Sequence, residues 1–332
     1  MNNAQSNMFS SKHTIPIITN LHQAMVVTNL AGENLTTLPV LPNKLIELHC
    51  YNNQLTTLPA LPSTLTHLNC SNNRLTTLPE LPSTLTHLFC GNNQLTSLPV
   101  LPNTLTHLYC NDNQLTTLLE LPSTLTHLDC RVNKLATIQK LPSSLTMLSC
   151  QNNQLTTLPM IPSTLILLYC AGNQLTTLPA LPSTLTVLNC ESNKLTTLPV
   201  LPSTLPYLYC GYNQLTTLPV LPSTLTNLDC EDNQLTILQK LPSTLKLNCR
   251  NNPLIWCKAI KDSKKSRLNK FKVAKIYRMI CKYNARNVAV ALIKRNCESW
   301  LDKPVTNDGK MGIRVRVGMK VMGYDVGLFP PQ

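Results

Sequence analysis

The sequence predicts a repeat solenoid: a curved, in-register parallel β-sheet with an extended, polyproline-like convex side. Three observations predict it. A 20-residue unit recurs ten times from Leu41 to Lys240, apolar and polar residues alternate in its first half, and two prolines flank most junctions between copies. Self-similarity at this period is typical of stacked repeats, in which each copy covers the apolar face of its neighbour.

The consensus is Leu-Pro-Ser-Thr-Leu-Thr-x-Leu-x-Cys-x-x-Asn-Gln-Leu-Thr-Thr-Leu-Pro-x, and we count repeat positions from 1 to 20 along it. A degenerate first copy precedes the ten full ones and has Glu33 where the others have asparagine. A shortened last copy has lost one residue before Cys249. The predicted organisation is a polar segment 1–20, a solenoid 21–252 (first copy 21–40, full copies 41–240, last copy 241–252) and a basic tail 253–332.

Positions 7 to 11 of each copy predict a short strand. In the second full copy, alternation places Leu68 and Cys70 on the inner side of that strand and His67 and Asn69 on the outer side. Identical copies stacked in register give neighbouring strands about 4.8 Å apart. Equivalent residues of successive copies are therefore expected to form columns along the sheet.

Two further positions are interpreted as framework. The asparagine at position 13, from Asn53 to Asn233 and again at Asn252, follows the strand where backbone groups need partners, and a side-chain amide can supply them. The segment Leu58–Pro62 has φ fixed twice and lacks two donors, which excludes a regular helix. The convex side is therefore expected to be extended.

Eleven of the 14 cysteines occupy position 10, from Cys50 to Cys230 and then Cys249. We expect them to be packed, free thiols, because side chains of in-register parallel strands point the same way and lack the orientation of a disulfide. No zinc-like CxxC or CxxxH spacing is present, so neither a metal nor a cofactor is predicted. A reduced cysteine column indicates an intracellular, reducing environment.

The motifs LPxLP, LxxLxC and NxLTxLP resemble the leucine-rich repeats, an α/β solenoid class. The short, proline-containing unit is most similar to the bacterial-effector type of the Yersinia outer protein M and invasion plasmid antigen H proteins. The resemblance covers about 230 of 332 residues. It implies protein binding on the concave sheet and, for an effector, action inside a host cell. Ligase members of that group carry a large catalytic domain after the repeats, whereas 82 residues follow Arg250 here.

Histidine occupies position 7 in four successive copies, as His67, His87, His107 and His127. A functional interpretation is a pH-sensitive patch or a surface metal site, because stacked imidazoles repel once charged and neutral ring nitrogens bind metals. The simpler interpretation, which we favour, is duplication of a tolerated exposed residue. No carboxylate or cysteine recurs beside each histidine to orient it.

Aromatic residues gather at position 9, and rigid exposed aromatics are typical of binding hot spots. Packing between repeats is the alternative explanation. The copies differ mainly at the outward positions 7, 9 and 11, where a partner would make contact. The predicted protein-binding residues are His67, His87, Phe89, His107, Tyr109, His127, Tyr169, Tyr207 and Tyr209.

Residues 251–332 contain 18 Lys or Arg and five Asp or Glu, whereas residues 1–250 contain ten of each. We predict helices over 255–283 and 285–301 that cap the array, and a possible β-strand over 313–317. Binding of nucleic acid or an anionic membrane by this tail is the alternative function. Its candidate residues are Lys264, Lys265, Arg267, Lys270, Lys272, Lys275 and Arg278.

Catalysis is not expected. A nucleophilic Cys281 or Cys297 would lack a local histidine, because all seven histidines lie at or before His127. The polar N-terminus has no secretory pattern, and the longest apolar run of the tail, 288–293, is far shorter than the roughly 20 residues of a membrane span. The sequence thus predicts a non-catalytic adaptor or effector-like protein that binds a protein partner, with no small-molecule substrate and no transmembrane segment.

Overall fold

The structure is a computed structural model that describes residues 27–238, 241–242 and 245–254. The predicted segment 1–20, the tail helices, the strand over 313–317 and the basic candidates from Lys264 to Arg278 lie outside the described residues. Among the described residues, no helix has the length and apolar character needed to cross a membrane.

Twelve parallel strands form one sheet, and they are hydrogen-bonded in chain order. Each strand is three residues long because the chain turns away from the sheet soon after position 9. The strands are β1 (Val27–Asn29), β2 (Glu47–His49), β3 (His67–Asn69), β4 (His87–Phe89), β5 (His107–Tyr109), β6 (His127–Asp129), β7 (Met147–Ser149), β8 (Leu167–Tyr169), β9 (Val187–Asn189), β10 (Tyr207–Tyr209), β11 (Asn227–Asp229) and β12 (Lys246–Asn248).

The register is constant along the sheet. Leu68 pairs with Leu88 and His67 with His87, an offset of one full repeat. At the C-terminal end Asn227 pairs with Lys246, so the residue missing from the last copy is absorbed between Leu245 and Lys246. The predicted fold class is confirmed, and both incomplete copies contribute a strand.

The core is a stack of identical layers. Leu65, Leu68, Cys70 and Leu75 are fully buried, and the same positions are buried in the other full copies. Burying one leucine side chain contributes about 2 kcal/mol. Each layer is covered by its neighbours, so the stability of a repeat depends on the copies on either side of it.

The return segment is extended within the described residues, as the prolines predict, and it ends in a β-turn before the next strand. In this turn the backbone N–H of Leu65 donates to the carbonyl of Pro62 at 3.1 Å. The hydroxyl of Thr84 lies 2.8 Å from the carbonyl oxygens of Ser63 and of Leu65 in the preceding copy. The threonine at position 4 therefore joins successive copies at the turn that precedes each strand.

The asparagine at position 13 has the predicted framework role. Its Oδ1 accepts the N–H of the preceding copy's leucine at position 15, as Asn73 does from Leu55 at 3.0 Å. Its Nδ2 donates to carbonyls, here those of Cys50 at 2.9 Å and Cys70 at 3.1 Å. One side chain thus satisfies backbone groups of two repeats.

A left-handed backbone at position 12 recurs in every full copy. Most of these residues are Asn, Asp or Gly, which adopt this conformation at little cost. Val132 and Tyr212 adopt it as well, with φ of 52° and 54°. A β-branched side chain at positive φ is strained. The stacking of the neighbouring repeats therefore determines this conformation whichever residue is present.

Candidate protein-binding face

We use the name concave face for the outward side of the sheet, formed by positions 7, 9 and 11. Alternation works as predicted: His67 and Asn69 are partly exposed, whereas Leu68 and Cys70 are buried. All nine predicted binding residues lie on this face, in strands β3 to β6, β8 and β10.

The four histidines form a continuous stack. Ring centroids are 4.2 Å apart between His67 and His87 and 4.3 Å apart for His87–His107 and His107–His127. The angles between ring planes are 11–13°. The rings are partly buried by this packing. They are therefore packed against one another along the column, as equivalent side chains of in-register repeats are expected to be.

A threonine orients each ring, which the sequence analysis did not anticipate. The Thr106 hydroxyl lies 2.9 Å from Nδ1 of His107 and 3.0 Å from the carbonyl oxygen of Thr86. A hydroxyl has one hydrogen, and only a donor can approach a carbonyl, so Thr106 donates to Thr86 and Nδ1–H donates to Thr106. This assigns the Nδ1–H tautomer and leaves Nε2 as the acceptor. The arrangement recurs at all four histidines.

The stack is not arranged like a metal centre. Nearly parallel rings direct their Nε2 lone pairs in parallel rather than toward one point, whereas a zinc site needs converging ligands. In the part of the chain that the structure describes, no group of three or more His, Cys, Asp or Glu side chains is placed to hold a metal ion.

Proton binding to the inner histidines is disfavoured. Partial burial, followed by the charges of His87, His127 and His67, lowers the pKa of His107 from 6.5 to about 4. The pKa of His87 is lowered by the same kinds of interaction. Both rings are therefore neutral near pH 7, and acidification forces charge into the stack.

We expect the stability of the array to fall as the pH is lowered from about 6.5 to about 4. The unfolded His107 takes up a proton near 6.5, whereas the folded one does so only near 4, so the unfolded state binds more protons across this window. Allowing for solvent screening, His107 should account for about 1 kcal/mol. Urea unfolding at several pH values should show a smaller loss for His107→Gln than for the parent.

The control for this measurement is His49→Gln, the same replacement at a β2 histidine outside the stack. It should leave the pH dependence assigned to His107 unchanged. Equal pH slopes for His107→Gln and the parent protein would contradict the argument.

The aromatic column at position 9 is interrupted. Phe89 and Tyr109 stack with centroids 4.8 Å apart and 11° between planes. Asp129 and Ser149 then occupy the column before Tyr169, and Asn189 separates Tyr169 from Tyr209. Packing between repeats therefore explains the aromatic pair Phe89 and Tyr109. Tyr169 and Tyr209 have polar neighbours along the column instead.

Two short polar side chains, those of Asp129 and Ser149, lie between Tyr109 and Tyr169 in the column at position 9. Asp129 is 5% exposed, accepts the backbone N–H of Arg131 at 3.2 Å and lies 3.6 Å from the Arg131 Nε. Burial is the main cause that raises the pKa of the Asp129 carboxyl. The Ser149 hydroxyl lies 2.6 Å from Oε1 of Gln151. Along position 9, the concave face therefore presents large aromatic side chains in some repeats and short polar side chains in others.

The cysteines at position 10 lie beneath this face. The eleven repeat cysteines are free and buried. Burial raises the pKa of the Cys150 thiol to about 12. The repeat cysteines therefore pack as small apolar side chains, as the sequence predicts.

Three segments of the array, 43–83, 63–103 and 83–123, match the family described as leucine-rich repeats in two copies. Among solved structures, YopM from Yersinia pestis, described as a leucine-rich effector protein, is 31% identical with a TM-score of 0.53. The match covers 69% of this chain and 84% of that one. The chain belongs to the leucine-rich-repeat family. Its repeats are of the YopM effector type.

Two more solved structures are similar to this leucine-rich-repeat protein. YopM from Yersinia enterocolitica WA-314 is 39% identical with a TM-score of 0.66, over 67% of this chain. The match spans 50% of that YopM chain. The functional domain of InlJ from Listeria monocytogenes, described as including a cysteine ladder, is 30% identical with a TM-score of 0.55. It aligns over 63% of this chain and 49% of that one. A comparison with curated proteins finds no match.

Proposed function

We propose that this protein binds a protein partner on its concave face and acts by occupancy, as a non-catalytic adaptor or effector. One observation carries the proposal: positions 7, 9 and 11 of the concave face differ widely among the repeats, whereas the buried leucine and cysteine positions and the asparagine at position 13 scarcely vary. Position 9 alone reads Phe89, Tyr109, Asp129, Ser149 and Tyr169 in consecutive copies. A surface that varies on a constant scaffold supports recognition of an irregular protein surface.

The size of the face agrees with this function. Twelve strands with three outward positions each provide about 36 side chains, compared with the roughly 20 to 30 residues that each partner contributes to a standard interface. Tyr207 is 40% exposed, although a tyrosine ring has much apolar surface to bury. The proposal includes that the effector-type repeats bind this protein partner inside a host cell.

The test is affinity capture from a eukaryotic lysate with the full-length protein and a variant in which Phe89, Tyr109, Tyr169 and Tyr209 are changed to serine. Truncating one interface hot spot costs about 2 kcal/mol or more. We therefore expect the four changes together to weaken capture of a discrete partner at least about 100-fold.

The matched control changes four exposed apolar residues on the other side of the solenoid, Val100, Met160, Val200 and Val220, to serine. This control should retain the partner. Circular dichroism should verify that both variants are folded. Capture that survives the aromatic changes, or that is lost equally in the control, would refute binding on the concave face.

A further inference from the structure

One interior strand of the sheet is preceded by a proline. Position 6 is threonine or isoleucine in the other full copies, whereas Pro206 occupies it directly before β10. Proline has no backbone N–H and its ring fixes φ, so within sheets it is normally confined to edge strands. β10 is not an edge strand, since it lies between β9 and β11. The β10 repeat (201–220) therefore meets the β9 repeat (181–200) with fewer hydrogen-bond donors than other copies have.

At a typical boundary the carbonyl at position 6 accepts three hydrogen bonds from the following copy. The Thr86 carbonyl accepts the N–H of Thr106 at 2.9 Å, the N–H of His107 at 3.1 Å and the Thr106 hydroxyl at 3.0 Å. The boundary after β10 has the same three bonds, because Thr226 and the N–H of the residue after it donate to the Pro206 carbonyl. These bonds join the N-terminal ends of neighbouring strands.

Within the described residues, the Thr186 carbonyl, at the boundary between the β9 and β10 repeats, accepts none of these bonds. Pro206 has neither the N–H nor the hydroxyl of threonine, and the N–H of Tyr207 does not bond to this carbonyl either. From β2 to β12 every other boundary keeps at least one such bond, the last through the N–H of Lys246 at 2.7 Å. Tyr207 is exposed, whereas position 7 is half-buried in β2 to β9 and in β11. The N-terminal end of β10 is therefore loosened from β9.

The threonine bonds at the turns around the β10 repeat are longer as well. The Thr204 hydroxyl lies 3.3 Å from the Leu185 carbonyl oxygen, and the equivalent distance from Thr224 to Leu205 is 3.4 Å. At Thr184 the equivalent distance is 2.7 Å. Each hydroxyl keeps its other bond, to the carbonyl two residues earlier in the preceding copy. The turn before β10 therefore contributes less to holding the start of the strand in place.

The C-terminal ends of β9 and β10 are fully joined. The N–H of Cys190 donates to the Tyr209 carbonyl at 2.8 Å. The Asn213 Nδ2 donates to the Cys190 carbonyl at 3.0 Å, and its Oδ1 accepts the N–H of Leu195 at 3.0 Å. The boundary therefore has the geometry of a hinge, loosened where the two strands begin and held where they end.

We propose that the array opens locally at this boundary, so that the β10, β11 and β12 repeats separate from the preceding ones as one unit. Each copy of a repeat array is stabilised by contact with its neighbours, so a boundary with fewer bonds opens before the others. About three repeats are the minimum for a stable array, so this unit unfolds once it has separated. The unit carries Tyr207 and Tyr209, and its opening changes the concave face whether or not that face binds a protein.

The test is native-state hydrogen exchange of the full-length protein in low concentrations of urea, read by mass spectrometry on peptides from each repeat. When opening and closing are fast, exchange reports the population of the open form. We expect peptides from the β10 and β11 repeats to share one opening free energy and those from the β5 to β8 repeats to have a higher one. A gradual rise from β12 inward, without a step at β9, would be simple fraying and would contradict the proposal.

Pro206→Thr should remove this step, because the threonine restores an N–H and a hydroxyl that can donate to the Thr186 carbonyl. Restoring these bonds should slow exchange of the β10 and β11 peptides about tenfold and leave the β4 peptides unchanged. The matched control is Pro219→Thr, in the same repeat but at position 19, where Leu119 and Gln139 replace proline in other copies. It removes the same restraint on the unfolded chain without adding a donor for Thr186, so exchange should not be slowed.

The converse variant is Thr146→Pro, which removes the same donors at the boundary between the β6 and β7 repeats. Its next residue is Met147, so no stacked histidine loses its threonine. Exchange of peptides on either side of that boundary should become at least about tenfold faster. Unchanged exchange in Pro206→Thr, equal slowing in Pro219→Thr, or no acceleration in folded Thr146→Pro would overturn the proposal.

Discussion

Replacing Asn153 with aspartate is expected to destabilise the array by about 3 kcal/mol or more. The Asn153 Nδ2 donates to the carbonyls of Cys130 at 3.0 Å, Cys150 at 3.1 Å and Gln151 at 3.2 Å. Its Oδ1 accepts the N–H of Leu135 at 3.0 Å. The side chain is 8% exposed. Aspartate would place an oxygen against these carbonyls and bury a charge.

The neighbouring Asn152 provides a matched control. It has the left-handed conformation of position 12, where Asp112 and Asp232 occupy the equivalent place in other repeats. Asn152→Asp should therefore change the free energy of unfolding by less than about 0.5 kcal/mol. Both variants can be compared by urea unfolding followed by circular dichroism, with hydrogen exchange to locate the opening.

Opening should be greatest around β6 to β8, because Asn153 joins its own repeat to the preceding one and repeat arrays open locally. If Asn153→Asp is no more destabilising than Asn152→Asp, the side chain is not the framework element that its contacts indicate.

The framework role of the asparagine at position 13 was predictable from the sequence, because the same residue type recurs there and its own side chain makes the hydrogen bonds. The left-handed residue at position 12 was not, since Asn, Asp, Ser, Val and Tyr all occupy it. Val132 adopts that conformation because its N–H and carbonyl bond to the Gln151 carbonyl and the Asn113 N–H of adjacent repeats, at 2.9 and 3.1 Å. The left-handed conformation at position 12 is therefore determined by stacking between neighbouring copies, and it cannot be inferred from the sequence of one copy.

On the concave face, too, some features were predictable from the sequence and others depend on contacts between repeats. Alternation predicts that His107 and Tyr109 face outward, and the 20-residue period predicts that equivalent residues form columns. The threonine that fixes the tautomer of His107 was missed, because position 6 resembles an ordinary strand residue until its hydroxyl is seen between a ring and a carbonyl. The break in the aromatic column at Asp129 could have been found by reading position 9 alone down the copies.

The first copy illustrates the limit of pattern matching. Its strand β1 pairs with β2 as the period predicts. Thr28, however, takes the place of the core leucine at position 8, and within the described residues its hydroxyl is the buried side-chain group without a hydrogen-bond partner. The periodicity therefore predicts the backbone of this copy better than its packing.

The repeat thiols should resist alkylation until the array unfolds. Burial raises the pKa of the Cys50, Cys150 and Cys190 thiols from 9.0 to about 12. At pH 8 this lowers the thiolate fraction about 1,000-fold relative to an ordinary thiol. Iodoacetamide labelling in the native state, read by peptide mass spectrometry, should leave these cysteines unmodified when an exposed thiol has reacted fully.

A thiol introduced by Val200→Cys, at a position 85% exposed, supplies the reference rate within the same protein. Cys249 of the last repeat should react before the interior cysteines, because burial raises its pKa to only about 11. In urea the repeat thiols should approach the reference rate. Native labelling of Cys150 within tenfold of that rate would contradict the packed-thiol interpretation.

The order of labelling also bears on how the array opens. If repeats open from the C-terminal end of the described array, reactivity should decrease from Cys249 through Cys230 toward Cys150. If the array opens as one unit, the interior thiols should share one rate set by global unfolding. In either case, oxidation of an interior cysteine requires its repeat to open first. A redox signal would therefore act on the protein by destabilising the scaffold of its binding face.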